Sequence, residues 1–319
     1  MERQEYQELC RTLDYHMDRY YNQDEPEISD YEYDCLMHRL KQAEREHPDW
    51  VTPESPSQKI GGSAACETGA QVEHRVPMLS IEDVFEKKEL ADWADKVQEV
   101  HPDATFSVEV KVDGVSLSLR YERQGEALAL TLAETRGNGR VGGDVTANAL
   151  AMADVPAKLP LSCSYLELRG EVYVTREAYR RYLAEPGNAG EAVAETPRNL
   201  AAATLRQQDP AAVRARELRM LVFNVQDGPA ELMDRHTAGM QKLESAGIAV
   251  VPHWHCANAA EILQVLREIE RLRPTLPYET DGVAVKLDQI AYREDFPVGP
   301  KYAAGHIAYK FPPDGVQPE

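Results

Sequence analysis

Cysteine, basic residues and long apolar runs are all scarce in this chain, and each scarcity excludes a class of protein. No run of about 18 apolar residues occurs anywhere in the 319 residues, so no membrane-spanning helix is expected. The start, Met1-Glu2-Arg3-Gln4-Glu5-Tyr6, has neither the basic nor the apolar stretch of a secretory signal. The five cysteines (Cys10, Cys35, Cys66, Cys163 and Cys256) are odd in number, scattered, and without a Cys-x-x-Cys spacing. They read as reduced thiols, with neither a disulfide framework nor a zinc site, and a cytoplasmic protein is expected. Lys and Arg number 35 against 54 acidic residues, a net charge of −19. Bulk electrostatics at that charge oppose nucleic-acid binding, so any such role needs a local basic patch. Internal repeats and low-complexity tracts are absent from the sequence.

What is present is an ordinary globular balance, 43% apolar and 28% charged, with ample length for a core. Tyr6, Leu9, Cys10, Leu13, Met17 and Tyr20 recur at spacings of three and four, which predicts an amphipathic helix. Pro26 breaks it, and Ser29-x-x-Glu32 has the pattern of a capping box opening a second helix, with Tyr33, Leu36, Met37 and Leu40 on its apolar side. His47-Pro48 ends that helix. The Pro/Gly-rich stretches 52–57 and 61–65 then form a connector, dividing the chain into units 1–66 and 67–319. Beyond residue 70, strands are expected at 106–112, 115–122, 127–133, 164–174, 219–225, 282–288 and 306–311. Helices are expected near 86–100, 175–184, 231–246 and 258–271. The closeness of the first three strands predicts antiparallel hairpins. The fold class is α+β, with a small all-α unit in front.

The run Phe106–Tyr121 carries the most information. Phe106, Val108, Val110 and Val112 fall on one strand face; Ser107, Glu109, Lys111 and Asp113 fall on the other. A lysine flanked by carboxylates can line a polar cleft while the opposite face is packed. Three later strands repeat the arrangement. Glu167, Arg169, Glu171 and Tyr173 share a face, and Lys286 and Lys310 each sit among apolar neighbours. Lysines on such strands are costly to bury without anionic partners, and a bound phosphate would supply one. Gly137-Asn138-Gly139-Arg140-Val141-Gly142 matches a dinucleotide fingerprint formally. It follows a hairpin strand rather than opening a βαβ unit, so a tight turn presenting Arg136 is expected instead.

In order and spacing, Glu109-x-Lys111-x-Asp113-Gly114, Arg136-Gly137, Arg169-Gly170-Glu171-Val172, Asp281-Gly282-Val283-x-x-Lys286 and Ala308-Tyr309-Lys310-Phe311 resemble the covalent nucleotidyltransferase motifs of polynucleotide ligases. Tyr20-Tyr21, the run from Glu27 to Asp34, Val76 to Ile81, Pro197 to Gln207, and Arg273-Pro274-Thr275-Leu276 resemble the bacterial NAD-dependent DNA ligase family in particular. The resemblance implies a ligase adenylation fold with mixed, largely antiparallel sheets, preceded by a helical module for the nicotinamide mononucleotide half of NAD. It further implies that NAD is the AMP donor, Mg²⁺ a cofactor, and nicked double-stranded DNA with a 5′-phosphate the partner, with a monomeric protein and no membrane association.

By that resemblance Lys111 is the nucleophile. It attacks the NAD α-phosphate and leaves a lysyl-AMP. An amine attacks only when neutral, and neutrality at pH 7 costs a free lysine about 4.6 kcal/mol. Lys286 and Lys310, with partial desolvation, are expected to lower its pKa. Asp113 and Asp281 orient either the lysine or a hydrated metal, and the sequence does not separate the two roles. Glu109 and Lys286 are expected to read the adenine, Glu171 and Arg136 to hold the ribose, Ser80 and Ile81 to touch the nucleotide, and Lys310 to contact the α-phosphate. Tyr20, Tyr21, Asp30, Tyr33 and Asp34 are expected at the nicotinamide half, and Arg198, Arg206 and Arg273 on DNA phosphates. Asn138, Gly143 and Gly305 depart from the common family pattern, and a looser loop around Arg136 is expected from the first two. The family's OB-fold, four-cysteine zinc module, helix-hairpin-helix repeats and BRCT domain have no counterpart in the sequence, so self-adenylation is expected and full nick sealing is doubtful. An ATP-dependent transferase and a non-catalytic NAD-binding module stay open as alternatives.

Overall fold

The spacing of three and four closes into helix α1 (Arg3–Tyr21), which buries Tyr6, Leu9, Leu13 and Met17. Helix α2 (Asp30–Glu46) returns against it with Met37, Leu40 and Ala43, and the pair forms a small apolar core of its own. The capping box is real: Ser29 Oγ accepts from the Glu32 N–H, and the Glu32 carboxylate accepts from the Ser29 N–H. In this computed structural model the described residues are 1–21, 23, 26–59, 61, 69–188 and 194–312. Most of the 61–65 stretch, Cys66 and the expected boundary at 66/67 therefore lie outside them.

The rest of the chain runs β1 (Gln71–Glu73), β2 (Ser80–Val84), α3 (Lys87–Val100), β3 (Phe106–Val112), β4 (Val115–Gln124), β5 (Ala127–Thr135) and β6 (Val141–Gly143). After these come α4 (Thr146–Leu150), β7 (Lys158–Leu159), β8 (Tyr165–Tyr173), α5 (Arg176–Ala184), α6 (Pro197–Arg206) and α7 (Pro210–Ala215). The last stretch is β9 (Arg219–Asp227), α8 (Ala230–Met233), α9 (His236–Ser245), β10 (His253–Cys256), α10 (Ala259–Leu272), β11 (Thr280–Leu287) and β12 (Tyr302–Lys310). Among the described residues two five-stranded sheets result, ordered β10-β3-β11-β12-β2 and β7-β5-β4-β8-β9, with β1 and β6 as a separate pair. Among the described residues every pairing between these strands is antiparallel except that of β12 with β2. The α+β reading holds, and one continuous core runs between the sheets through Val108, Val110, Leu117, Leu119, Leu168 and Val285.

The hairpin expectation holds for β4 and β5 and fails for β3 and β4. Those two strands belong to different sheets. The chain passes from one sheet to the other across Asp113 and Gly114 alone. Gly114 permits this because a Cβ there would lie 2.1 Å from the Val172 carbonyl oxygen of β8. The helix expected over 231–246 is split at Asp234 and Arg235 into α8 and α9. The run Pro197–Arg206 is a helix that the apolar spacing did not suggest, opened by Thr196 as its N-cap and Pro197 at its first turn. Among the described residues no helix is long and apolar enough to cross a membrane.

Candidate active site

A cavity of about 350 Å³ opens between the α1–α2 pair and the ends of both sheets. Its position follows from the strand crossing: Lys111 lies near the end of β3, Asp113 lies in the crossing, and β4 starts in the second sheet beside Glu171 of β8. Opposite Lys111, β11 carries a register shift between Thr280 and Gly282, so Asp281 has no partner of its own on β3. Such bulges re-aim a side chain. Thr280 Oγ1 donates to the Lys111 carbonyl at 2.6 Å and fixes the irregularity. Gly282 lets β12 approach closely, since a Cβ would meet the Tyr309 carbonyl oxygen at 2.1 Å.

The bulge delivers Asp281 between two lysines. Lys111 Nζ donates to Asp281 Oδ1 at 3.1 Å and to Oδ2 at 3.0 Å, and Lys310 Nζ donates to Oδ2 at 2.8 Å. Burial raises and the two ammonium groups lower the Asp281 pKa; the ammonium groups win and hold it well below the usual carboxylate range. The expectation that Lys111 is acidified is overturned. Burial, the largest influence, and Lys310 push it down, but Asp281 together with Asp83 and Glu171 outweighs them and raises it above the ordinary lysine value. Lys286 is engaged elsewhere, 2.7 Å from Glu109 Oε2. Without ligand, Lys111 is held charged.

Glu109, Lys111, Asp113, Glu171, Asp281, Lys286 and Lys310 all line the one cavity. Burial pushes the carboxyl groups of Asp113 and Glu171 up to about 7, Asp281 adding to both. Arg136 Nη2 donates to Ser80 Oγ at 3.0 Å, and its guanidinium lies 5.2 Å from the Tyr21 ring centre. The Arg136 loop is closed by the departing residue itself, Asn138 Oδ1 accepting from the N–H groups of Arg140 and Val141 at 3.0 and 2.8 Å. Ser80 and Ile81 of β2 form part of the rim.

The helical pair supplies the other wall with Tyr20, Tyr21, Asp30, Tyr33 and Asp34. Tyr20 donates to Asp30 Oδ2 at 3.3 Å, and Asp34 Oδ2 lies 2.8 Å from Lys310 Nζ. Burial pushes Asp34 up to about 7, with Asp83 adding to it and Lys310 opposing. Arg198 faces inward, 4.1 Å from the Tyr20 ring centre and 3.7 Å from Asp113 Oδ1. Arg206 also lines the cavity, whereas Arg273 packs its guanidinium on Phe311 away from that lining.

Several contributors escaped sequence reasoning, Asp83 of β2 in the cavity lining among them. The Phe223 ring centre on β9 lies 5.0 Å from Lys286 Nζ and 5.5 Å from the Arg169 guanidinium, and the Phe223 carbonyl accepts from Lys286 Nζ. Lys301, pushed down to about 7 by burial and by Lys41, donates to the Pro56 carbonyl. His236 contacts Glu109 at 2.5 Å. Only Phe223 had a signal, its place on an alternating strand.

This arrangement is matched by known families. Residues 67–314 match the model of the NAD-dependent DNA ligase adenylation domain, and residues 1–61 match that of the DNA ligase-like, N-terminal NAD+-binding domain. The DNA ligase of Clostridium kluyveri is 36% identical over 308 residues, 96% of this chain and 46% of that protein. The DNA ligase of a Thermoanaerobacter species is 38% identical over 306 residues, with 96% and 45% covered. An archaeal ATP-dependent RNA ligase structure aligns over 73% of this chain and 48% of its own, at 16% identity and a TM-score of 0.36. The chain spans about half the length of the curated relatives it matches. The first of these matches covers more than half of the chain, and the chain belongs to the NAD-dependent DNA ligase adenylation domain family.

Proposed function

We propose that this chain transfers AMP from NAD to Lys111, the first step of DNA nick sealing. The observation that carries this reading is the convergence of Lys111 and Lys310 on Asp281 within a cavity walled on its far side by the NAD+-binding helices. The purine lies toward Glu109 and Lys286, the ribose toward Glu171 and Arg136, and the α-phosphate beside Lys310. Ser80 and Ile81 border the nucleotide. The nicotinamide half lies against Tyr20, Tyr21, Asp30, Tyr33 and Asp34, where aromatic rings and carboxylates suit a cationic ring. As the Lys111 Nζ–phosphorus bond forms, the phosphorus–oxygen bond breaks and nicotinamide mononucleotide leaves with the bridging oxygen and its electron pair; Nζ, which starts as an ammonium, gives up two protons to water and keeps one N–H in the phosphoramidate. Lys310 stabilises charge developing on the phosphate. Asp281 must loosen its hold on Lys111 before attack, and an incoming phosphate that engages Lys310 competes for that hold.

Among the described residues no three His, Cys, Asp or Glu side chains converge as metal ligands. Mg²⁺ would be carried mainly by water and substrate phosphate, with Asp113 or Asp281 as the candidate to hold its hydration shell. When bound it would neutralise phosphate charge. Arg198, Arg206 and Arg273 are the candidates for contact with the phosphates of nicked DNA that carries a 5′-phosphate. Units 1–66 and 67–319, a cytoplasmic location and a monomer complete the proposal. Intact-mass measurement after incubation with NAD and Mg²⁺ tests it. One AMP should appear on the peptide holding Lys111, with none from ATP and none on Lys111→Ala protein. An adduct formed only with ATP, or retained by Lys111→Ala, overturns the reading.

A further inference from the structure

Glu109 is buried on β3, 1% exposed, and its carboxylate is held from three sides. Oε1 accepts from His236 Nε2 at 2.5 Å and from Ser107 Oγ at 3.1 Å; Oε2 lies 2.7 Å from Lys286 Nζ. His236 is the first residue of α9 and is itself 1% exposed. The start of that helix is pinned to the strand that carries Lys286. The Thr237 N–H and hydroxyl donate to Asp288 Oδ1 at 2.7 and 2.9 Å, and the His236 N–H donates to the Asp288 carbonyl at 2.8 Å. Asp288 stands two residues beyond Lys286, so imidazole and ammonium are fixed to one frame on either side of the same carboxylate.

Charge follows from that frame. Burial drives the His236 pKa down to about 4 against the pull of Glu109, so the ring is neutral near pH 7. Burial opposes but Lys286 and His236 together keep Glu109 well below the usual carboxylate range. A neutral imidazole facing a carboxylate must present Nε2–H to it, since an ionised carboxylate only accepts. Held this way, Glu109 has lone pairs to offer and no proton. A purine 6-amino group can donate to it; a purine 6-oxo group cannot.

We propose that His236 is a positioning residue which holds Glu109 as an acceptor-only edge and so selects a 6-aminopurine over a 6-oxopurine dinucleotide. The proposal rests on the adenylation reading, with the purine at the Glu109–Lys286 end. Sites built to bond a substrate N–H reject the analogue lacking it, because the buried partner is left unpaired.

The test compares NAD with nicotinamide hypoxanthine dinucleotide as donors, reading KM and kcat for nucleotidyl-adduct formation on wild type, His236→Leu, His236→Asn and His236→Gln. Wild type should favour NAD. His236→Leu should lose that preference by about ten-fold, the loss of one charge-assisted hydrogen bond, mainly through a higher KM for NAD. His236→Asn, too short to reach Glu109, should behave alike and serves if the leucine variant does not fold. His236→Gln, which keeps an N–H donor of greater reach, should recover most of the preference. Unchanged selectivity in the leucine or asparagine variant, or an equal fall in kcat on both donors, overturns the assignment. Wild type forming no adduct from NAD would instead overturn the adenylation reading itself.

Discussion

Asp34 on α2 and Lys310 at the end of β12 form an ion pair of 2.8 Å that ties the helical wall of the cavity to its sheet wall. Both groups are largely buried, and Lys310 is shared with Asp281 at the same distance. The carboxylate we propose for the nicotinamide half thus touches the lysine proposed for the α-phosphate.

Removing Asp34 should therefore separate two kinds of binding. In Asp34→Ala, the kcat/KM for adduct formation from NAD is expected to fall by about 100-fold, as for loss of a buried charged contact. Affinity for AMP, which lacks the nicotinamide half, should change less than about three-fold. Isothermal titration with AMP beside adduct kinetics with NAD checks this. A parallel loss of AMP affinity would place the role of Asp34 in the sheet wall.

Asp281 governs the charge of Lys111, and its removal has a signed consequence. With the ion pair gone, burial and Lys310 both act to lower the Lys111 pKa. Asp281→Asn should make Lys111 more reactive toward a small acylating reagent at pH 7.5, by about ten-fold per unit of pKa shift. Peptide mapping of acetylation rates measures it. Slower labelling of Lys111 in the variant would show that the pair does not set its protonation.

These two relationships mark how far the sequence could be read. The alternation from Phe106 to Val112 gives the strand and its bounds, because side-chain period is local. The pairing of that strand is not local. Asp113-Gly114 looks like a hairpin turn until Val172, on a distant strand, is seen pressing on Gly114. Lys111 and Asp281 were both legible as candidates. Their pairing was one of two roles left open for Asp281, and its geometry was not legible, since it depends on a bulge at Thr280–Gly282 that no composition signal marks. His236 was illegible for a similar reason: a single histidine at a helix start gains its role only when Asp288 brings that helix beside Glu109.

Glu171 links the site to stability. Its folded pKa is raised to about 7 by burial, against about 4.3 in an unfolded chain. Between those values the folded state binds more protons, so its contribution is fully present below pH 4 and is lost as pH rises through 7. Histidines 236 and 306, held neutral by burial, act in the opposite sense over part of that range. The difference between variant and wild type isolates Glu171. Glu171→Gln keeps the shape without the charge, and should raise Tm at pH 8 by roughly 2 °C or more while leaving it unchanged at pH 4. Calorimetry at the two pH values decides. A Tm gain that is equal at both would rule out ionisation as its cause.

Gly114 offers the sharpest structural test, because it sits where the chain leaves one sheet for the other directly after Lys111 and Asp113. A methyl group there would meet the Val172 carbonyl oxygen at 2.1 Å and the Glu171 side chain at 3.0 Å. The first clash is with backbone in the middle of a sheet, paired on both sides, so it cannot be relieved by a rotamer change. Either β8 shifts or the crossing does. Gly114→Ala is expected to cost about 2 kcal/mol or more, within the range of overpacking at a buried site. The same shift would displace Lys111 from the cavity floor, and displacement of about 1 Å in a reacting group commonly costs 100-fold in rate. Denaturant unfolding and adduct kinetics on the folded variant check the two parts separately. Gly125→Ala, at the β4–β5 turn, is the control. It has the same exchange with no heavy atom within 4 Å of the added carbon, and it should lose only the modest stability that its positive φ exacts. A Gly114→Ala protein as stable and as fast as Gly125→Ala would mean that the crossing does not depend on close backbone approach.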